Sequence, residues 1–357
     1  MAKNILVINP FGIGDVLFST PLVSALKKLY PDSYIAYICN LKTRDILITN
    51  PAINEVFVFE RDEYRFLWKT SKIGAAGKFL DFWGMVKKKK FDLVFDLSLG
   101  KEYAFLCWLV GIKDRRGFDY KNRGRFLNYR VPFDGFNDKP VAEYYLDLMR
   151  LAGPPDRESL NRKMVLVTTS EDKEYVDNFL KNSGIGGKDR LICVAPGGGM
   201  SFGSKKMGMR RWPVEKFKEL AKDISERGGA KVVLLWGPGE EDLIKEIEGR
   251  GAKGVITAPK TTARQAAALM KRCAVVMCND SGLLHLATSQ GVNTVSIFGP
   301  TDEKVYGPYP LRAGNVVIKS DAECRPCYRK FKLSDCGTKK CLDGISVEEV
   351  FKAVMLS

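Results

Sequence analysis

Short, uninterrupted apolar runs alternate with helical segments twice along this chain, and no other feature limits its fold as much. In the first round Asn4 to Asn9, Tyr34 to Cys39, Val56 to Phe59 and Leu93 to Leu97 read as strands. Val16 to Leu29, Tyr103 to Val110 and Val141 to Leu151 read as helices among or after them. Strands that are apolar throughout, rather than alternating, belong to parallel sheets covered on both faces. A break follows at Ala152-Gly153-Pro154-Pro155-Asp156, with polar residues to Arg162. The pattern then restarts with strands at Leu191 to Ala195, Lys231 to Trp236, Gly254 to Ala258, Ala274 to Asn279 and Thr294 to Phe298. Helices at Val214 to Arg227, Glu240 to Arg250 and Thr262 to Cys273 lie between them.

The spacing predicts two Rossmann-like, doubly wound α/β domains in tandem, residues 1–155 and 156–357, facing each other across a cleft. A chain of 357 residues is long enough to give both a full core. A closing helix over 347–356 either belongs to the second domain or packs back on the first. No stretch is long and uncharged enough to span a bilayer, and no signal peptide opens the chain, so a cytoplasmic location is expected.

In such folds ligands sit beyond the carboxyl ends of the strands, so the residues there carry the chemistry. The first strand runs into Asn9-Pro10-Phe11-Gly12-Ile13-Gly14-Asp15. Gly12 and Gly14 allow a tight turn and close approach of a ligand, and Asp15 stands at the mouth of a helix, as a cap or as a general base. The glycine spacing matches neither a dinucleotide fingerprint nor a Walker loop. In the second domain, Pro196-Gly197-Gly198-Gly199 precedes the basic segment Lys205, Lys206, Arg210 and Arg211, which suits a diphosphate. Glu241 follows the next strand, where a carboxylate can accept from a ribose diol, and Thr261 follows the one after. The only histidine lies in Asp280-Ser281-Gly282-Leu283-Leu284-His285, at a strand-to-helix turn that offers free N–H groups to an anion. Each feature has a bland reading as a cap or a solvated loop; their convergence on one sheet edge favours a ligand site.

Asn9 to Leu17, Arg211-Trp212-Pro213, Asp280 to Ala287 and Phe298-Gly299-Pro300-Thr301-Asp302, in this order, resemble the motifs of glycosyltransferase family 9, the heptosyltransferases. The resemblance covers almost the whole chain. It implies a GT-B fold and an inverting transferase using a nucleotide sugar, typically ADP-heptose, with no cofactor or catalytic metal. By motif position it makes Asp15 the catalytic base, and Asp280, Ser281, Gly282 and His285 the diphosphate site. Glu241 would take the ribose and Thr261 would lie near the adenine. Arg210 stands where the family usually has lysine, so Lys206 or Lys205 is an alternative for that role.

Cys324, Cys327, Cys336 and Cys341 have a spacing compatible with structural zinc, with free thiols or disulfides as alternatives. The formal charge of +15 suits anionic partners. No zinc-finger, RRM or helix-turn-helix signature supports nucleic acid. A phosphorylated, lipid-linked saccharide acceptor met at an anionic membrane surface fits better. The segment Arg65 to Lys90, which mixes Phe66, Leu67, Trp68, Phe79, Phe82 and Trp83 with lysines, is either a membrane-docking element or an ordinary amphipathic helix. Two competing functions remain open at this stage: a sugar-nucleotide epimerase of the same fold, and a basic nucleic-acid- or membrane-binding protein without catalysis.

Overall fold

A computed structural model describes residues 3–153, 160–198, 208–248, 253–334 and 336–357. The chain divides into two units, the first comprising 1–135 with 141–165, the second 136–140 with 166–357. The first contains β1 (Asn4–Ile8), α1 (Ile13–Leu29), β2 (Tyr34–Cys39), α2 (Leu41–Leu47), β3 (Glu55–Val58), α3 (Arg61–Thr70), α4 (Lys72–Lys88), β4 (Leu93–Asp96), α5 (Glu102–Leu109), β5 (Asp114–Tyr120), β6 (Tyr129–Phe133) and α6 (Val141–Asp147). Its strands form one parallel sheet in the order β3-β2-β1-β4-β5-β6. The second contains α7 (Ser170–Asn182), β7 (Leu191–Ala195), α8 (Val214–Glu226), β8 (Lys231–Leu234), α9 (Glu241–Glu248), β9 (Val255–Thr257), α10 (Ala263–Met270), β10 (Val275–Asn279), α11 (Gly282–Ser289), β11 (Asn293–Phe298), α12 (Glu303–Tyr306), β12 (Asn315–Lys319), the hairpin β13 (Tyr328–Arg329) and β14 (Lys332–Leu333), α13 (Lys340–Asp343) and α14 (Val347–Leu356). Its main sheet is also parallel, in the order β12-β11-β10-β7-β8-β9.

Both orders are doubly wound. Strand order reverses between β1 and β4 in one sheet and between β7 and β10 in the other. Loops leaving adjacent strands at such a point diverge to opposite faces, which opens a crevice at the carboxyl edge. Burial explains why the strands were legible: all the residues of β4, β7 and β10 are buried, so their apolar runs have no polar phase.

One boundary differs from the sequence reading. The first unit extends to Val165, beyond the polar break. Its last residues are tied down: Arg162 pairs with Glu143 at 2.9 Å, and the Val165 N–H donates to Thr20 Oγ1 at 2.8 Å. Thr20 has a second task. Pro21 lies inside α1 and lacks the N–H that Leu17 C=O would normally receive, and the Thr20 hydroxyl donates to that carbonyl at 2.7 Å. The closing helix α14 is part of the second unit's own core, where Val347, Val350 and Val354 pack with α8 residues such as Leu220 and Ile224.

Candidate functional site

In the second unit the crevice between β7 and β10 is organised by Asn279, the fully buried last residue of β10. Its amide donates to Pro196 O at 2.8 Å and Gly197 O at 3.2 Å. Its Oδ1 accepts from the Trp212 N–H at 3.0 Å. Trp212 is itself buried and donates through Nε1 to Ile345 O at 3.2 Å. One side chain therefore fixes both the loop after β7 and the segment carrying Arg210 and Arg211.

Beyond Asn279, Asp280 Oδ2 receives Arg210 Nη1 at 3.1 Å and the Thr301 hydroxyl at 2.6 Å. Both members of this ion pair are buried. Ser281 caps α11, accepting from the Leu283 N–H at 3.3 Å, and Gly282 begins the helix. His285 lies one turn on, as the spacing predicts. Burial pushes its pKa down to about 4, the neighbouring Asp280 opposes that shift and Arg210 adds to it. The imidazole is thus neutral at pH 7 and offers hydrogen bonds rather than charge. The turn as a whole combines a helix N-terminus with a held guanidinium, an arrangement suited to a phosphate group.

Sequence reasoning missed Glu240. It is buried, accepts from the Gly237 N–H at 2.9 Å and pairs with Arg211 at 3.3 Å. Its neighbour Glu241 is exposed in the first turn of α9. A Cβ at Gly197 would overlap the Glu240 carboxylate, so any side chain there requires Glu240 to shift. Gly197→Ala is expected to displace Glu240 from Arg211 and destabilise the protein by about 1–3 kcal/mol. A urea midpoint equal to wild type would contradict this packing. Thr261 is half-buried just before Thr262, which caps α10 in a reciprocal box with Gln265. Lys205 and Lys206 lie outside the described residues.

In the first unit, the loop after β1 is held by two asparagines. Asn9 is buried; its Oδ1 accepts from the Phe11 N–H at 3.1 Å and its amide donates to Asp15 O at 3.1 Å. Asn40 donates to Phe11 O at 2.6 Å. Gly12 occupies the N-cap, Gly14 lies inside α1, and Asp15 is in the first turn, half-buried. Asp15 is therefore not the N-cap residue. On the other side of the strand reversal stands Asp96, a second residue missed from sequence, whose strand pairs it with Ile8. It accepts from the Ser98 N–H at 2.9 Å, and burial pushes its pKa up to about 6. Its signal was an aspartate closing an apolar run.

Among the described residues no group of three or more His, Cys, Asp or Glu side chains is arranged to hold a metal ion. All nine cysteines are free thiols. Cys341 is buried beside Leu342 in the core and Cys324 is exposed, yet the four thiols lie near one another: burial raises the Cys341 pKa to about 11, and Cys324, Cys327 and Cys336 add to that shift.

Two parallel, doubly wound units with charged crevices at their strand reversals define the two-domain GT-B class. The chain belongs to glycosyltransferase family 9 (heptosyltransferase), whose family model matches residues 79–336. It is 27% identical over 312 residues to lipopolysaccharide heptosyltransferase 3 of Escherichia coli, covering 83% of each chain. It is 25% identical over 321 residues to lipooligosaccharide heptosyltransferase 2 of Haemophilus influenzae, covering 87% of each. Among solved structures, a family 9 glycosyltransferase of Veillonella parvula superposes with a TM-score of 0.79 at 25% identity, over 99% of this chain and 97% of that one. E. coli ADP-heptose LPS heptosyltransferase II has the same fold, with a TM-score of 0.76 at 23% identity over 99% and 98%. The protein is a glycosyltransferase.

Proposed function

We propose that this glycosyltransferase moves a heptose from ADP-heptose to a lipopolysaccharide-core-type or other lipid-linked acceptor, with inversion at the anomeric carbon. The observation that carries the reading is the β10–α11 turn, where Asp280 and Thr301 aim Arg210 beside the start of α11 in a family 9 chain. The names of the curated relatives supply the sugar and the acceptor class.

The second unit binds the donor. The α11 N-terminus, Ser281, Gly282, His285 and Arg210 hold the diphosphate, with Lys206 as a further cation. Glu241, exposed in the first turn of α9, takes the ribose diol, and Thr261 lies near the adenine. The first unit binds the acceptor and supplies Asp15. The Asp15 carboxylate removes the proton of the acceptor hydroxyl as that oxygen attacks the anomeric carbon from the face opposite the diphosphate. The carbon–oxygen bond to the donor breaks, and ADP leaves with its negative charge met by the helix N-terminus and guanidinium. No catalytic metal is needed in this scheme. The acceptor's lipid anchor places the reaction at the inner face of the cytoplasmic membrane, with the enzyme bound peripherally.

Titration calorimetry with ADP, UDP and GDP tests the donor. ADP should bind at least tenfold more tightly than the other two. Preference for UDP or GDP would overturn the assignment. Proton NMR of the product should show the anomeric configuration inverted relative to the donor.

A further inference from the structure

The helical hairpin α3–α4 is built unlike the rest of the first unit. No residue of α3 is buried, and Tyr64 and Leu67 are its half-buried residues. The Tyr64 ring meets Phe79 at 6.0 Å, and Lys78 pairs with Glu63. These contacts fix the two helices antiparallel, with residues 63–64 level with 78–79. The turn at Thr70–Ser71 therefore stands about 10 Å beyond that level, from the rise of an α-helix. Phe79 marks the inner end, beside the core residues Phe59 and Trp83.

The outer end is apolar and basic. Phe66 is 66% exposed, Trp68 56% and Ile73 89%. Lys69 and Lys72 are exposed among them. Such side chains are ordinarily buried, and three of them exposed on the outer part of one projecting hairpin mark an interaction surface. Trp and Phe with lysines beside them match the boundary between headgroups and acyl chains, where the rings enter the boundary layer and the ammonium groups meet anionic phosphates. Among the described residues no helix is long and apolar enough to cross a membrane.

We infer that the tip of the α3–α4 hairpin, Phe66, Trp68, Lys69, Lys72 and Ile73, docks this protein on an anionic phospholipid bilayer. The inference deepens the proposed function and rests on its lipid-linked acceptor. Location supports it: α3 leaves the carboxyl end of β3, and in a parallel sheet that is the edge where β1 delivers Asp15. Docking through this tip sets the base-bearing edge of the unit toward the surface in which the acceptor is anchored. The structure also narrows the segment. Phe82 and Trp83 are core residues, and Lys89 is engaged with Glu55 at 2.6 Å, so none of the three belongs to the docking surface.

The test is sedimentation of the full chain with phosphatidylcholine vesicles, with and without phosphatidylglycerol. Wild type should bind only the anionic vesicles. Trp68→Ser/Ile73→Ser should lower binding about tenfold or more, and Lys69→Gln/Lys72→Gln by a similar factor that shrinks as salt is raised. Because none of these residues is buried, both variants should keep the wild-type melting temperature, ADP affinity and turnover of a soluble, deacylated acceptor. Equal vesicle binding by wild type and variants, or none by wild type, overturns the inference. Unchanged vesicle binding with lost turnover of the deacylated acceptor would make the tip a saccharide site and also overturn it. Tip-dependent vesicle binding by a protein without ADP affinity would leave the docking surface standing and remove the donor assignment instead.

Discussion

Asp15→Asn should lower kcat by about a hundredfold or more while leaving the fold and the affinity for ADP as they are. The substitution preserves side-chain size in the first turn of α1 and removes the negative charge and, with it, the capacity to take a proton. Stability should change little. Gly12, not Asp15, is the N-cap, and the Asn9 amide bonds to the Asp15 main-chain carbonyl, which asparagine retains. The lost attraction between a carboxylate and the helix N-terminus is worth about 0.3–1 kcal/mol. ADP affinity should persist because the proposed donor residues all lie in the second unit. Single-turnover rates, melting temperature and calorimetric ADP binding separate these effects. Wild-type turnover would leave Asp15 with no role in proton transfer. A large loss of ADP affinity would place it in the donor site.

Asp96 supplies the control, as the other carboxylate at the same strand reversal. Its pKa is raised by burial, so the folded state holds its proton more tightly than the unfolded chain does. The stability this contributes is present below the unfolded pKa of about 4 and is lost as pH rises toward 6. Asp96→Asn imitates the protonated form and keeps an acceptor for the Ser98 N–H. It should flatten that part of the stability–pH curve and change turnover far less than Asp15→Asn.

The fold was legible because its information is one-dimensional. A strand covered on both faces shows as an apolar run, and a glycine-rich or aspartate-bearing turn marks its end, as at Gly12 to Asp15 and Asp280 to Gly282. The pairing of side chains across the sheet edge is not written that way. Glu240 and Glu241 are adjacent and identical in type. Only the fold shows that Glu240 is buried against Gly197 and Arg211 while Glu241 is exposed. Asn279 looked like the end of a strand and proved to fix two loops, because its partners at Pro196, Gly197 and Trp212 are far away in sequence. In the Arg65 to Lys90 segment the structure separates two parts that the sequence ran together: Phe82 and Trp83 pack inward, while Phe66 and Trp68 are exposed.

The Arg210–Asp280 pair carries the largest expected stability effect. Asp280→Ala should destabilise the protein by about 3–5 kcal/mol, since it leaves a guanidinium in the interior without its counter-charge. It also removes the acceptor of the buried Thr301 hydroxyl. Asp280→Asn should do less harm, by about 1.5–3 kcal/mol, the value of a hydrogen bond to a charged group. Its carbonyl oxygen can still accept from Thr301 and Arg210. The same two variants probe the donor site. Freed of Asp280, Arg210 would have more charge to offer a diphosphate but would no longer be aimed, and a guanidinium binds phosphate through the geometry of its donors. Loss of aim should prevail, raising the Kd for ADP about tenfold or more in the alanine variant and less in the asparagine variant. His285→Ala should weaken ADP binding without a comparable stability loss, because the imidazole is neutral and leaves no charge stranded. Urea unfolding with and without saturating ADP reads both quantities on one sample, as bound ligand raises the midpoint by mass action. Wild-type ADP affinity in a folded Asp280→Ala protein and in His285→Ala would move the donor site away from the β10–α11 turn.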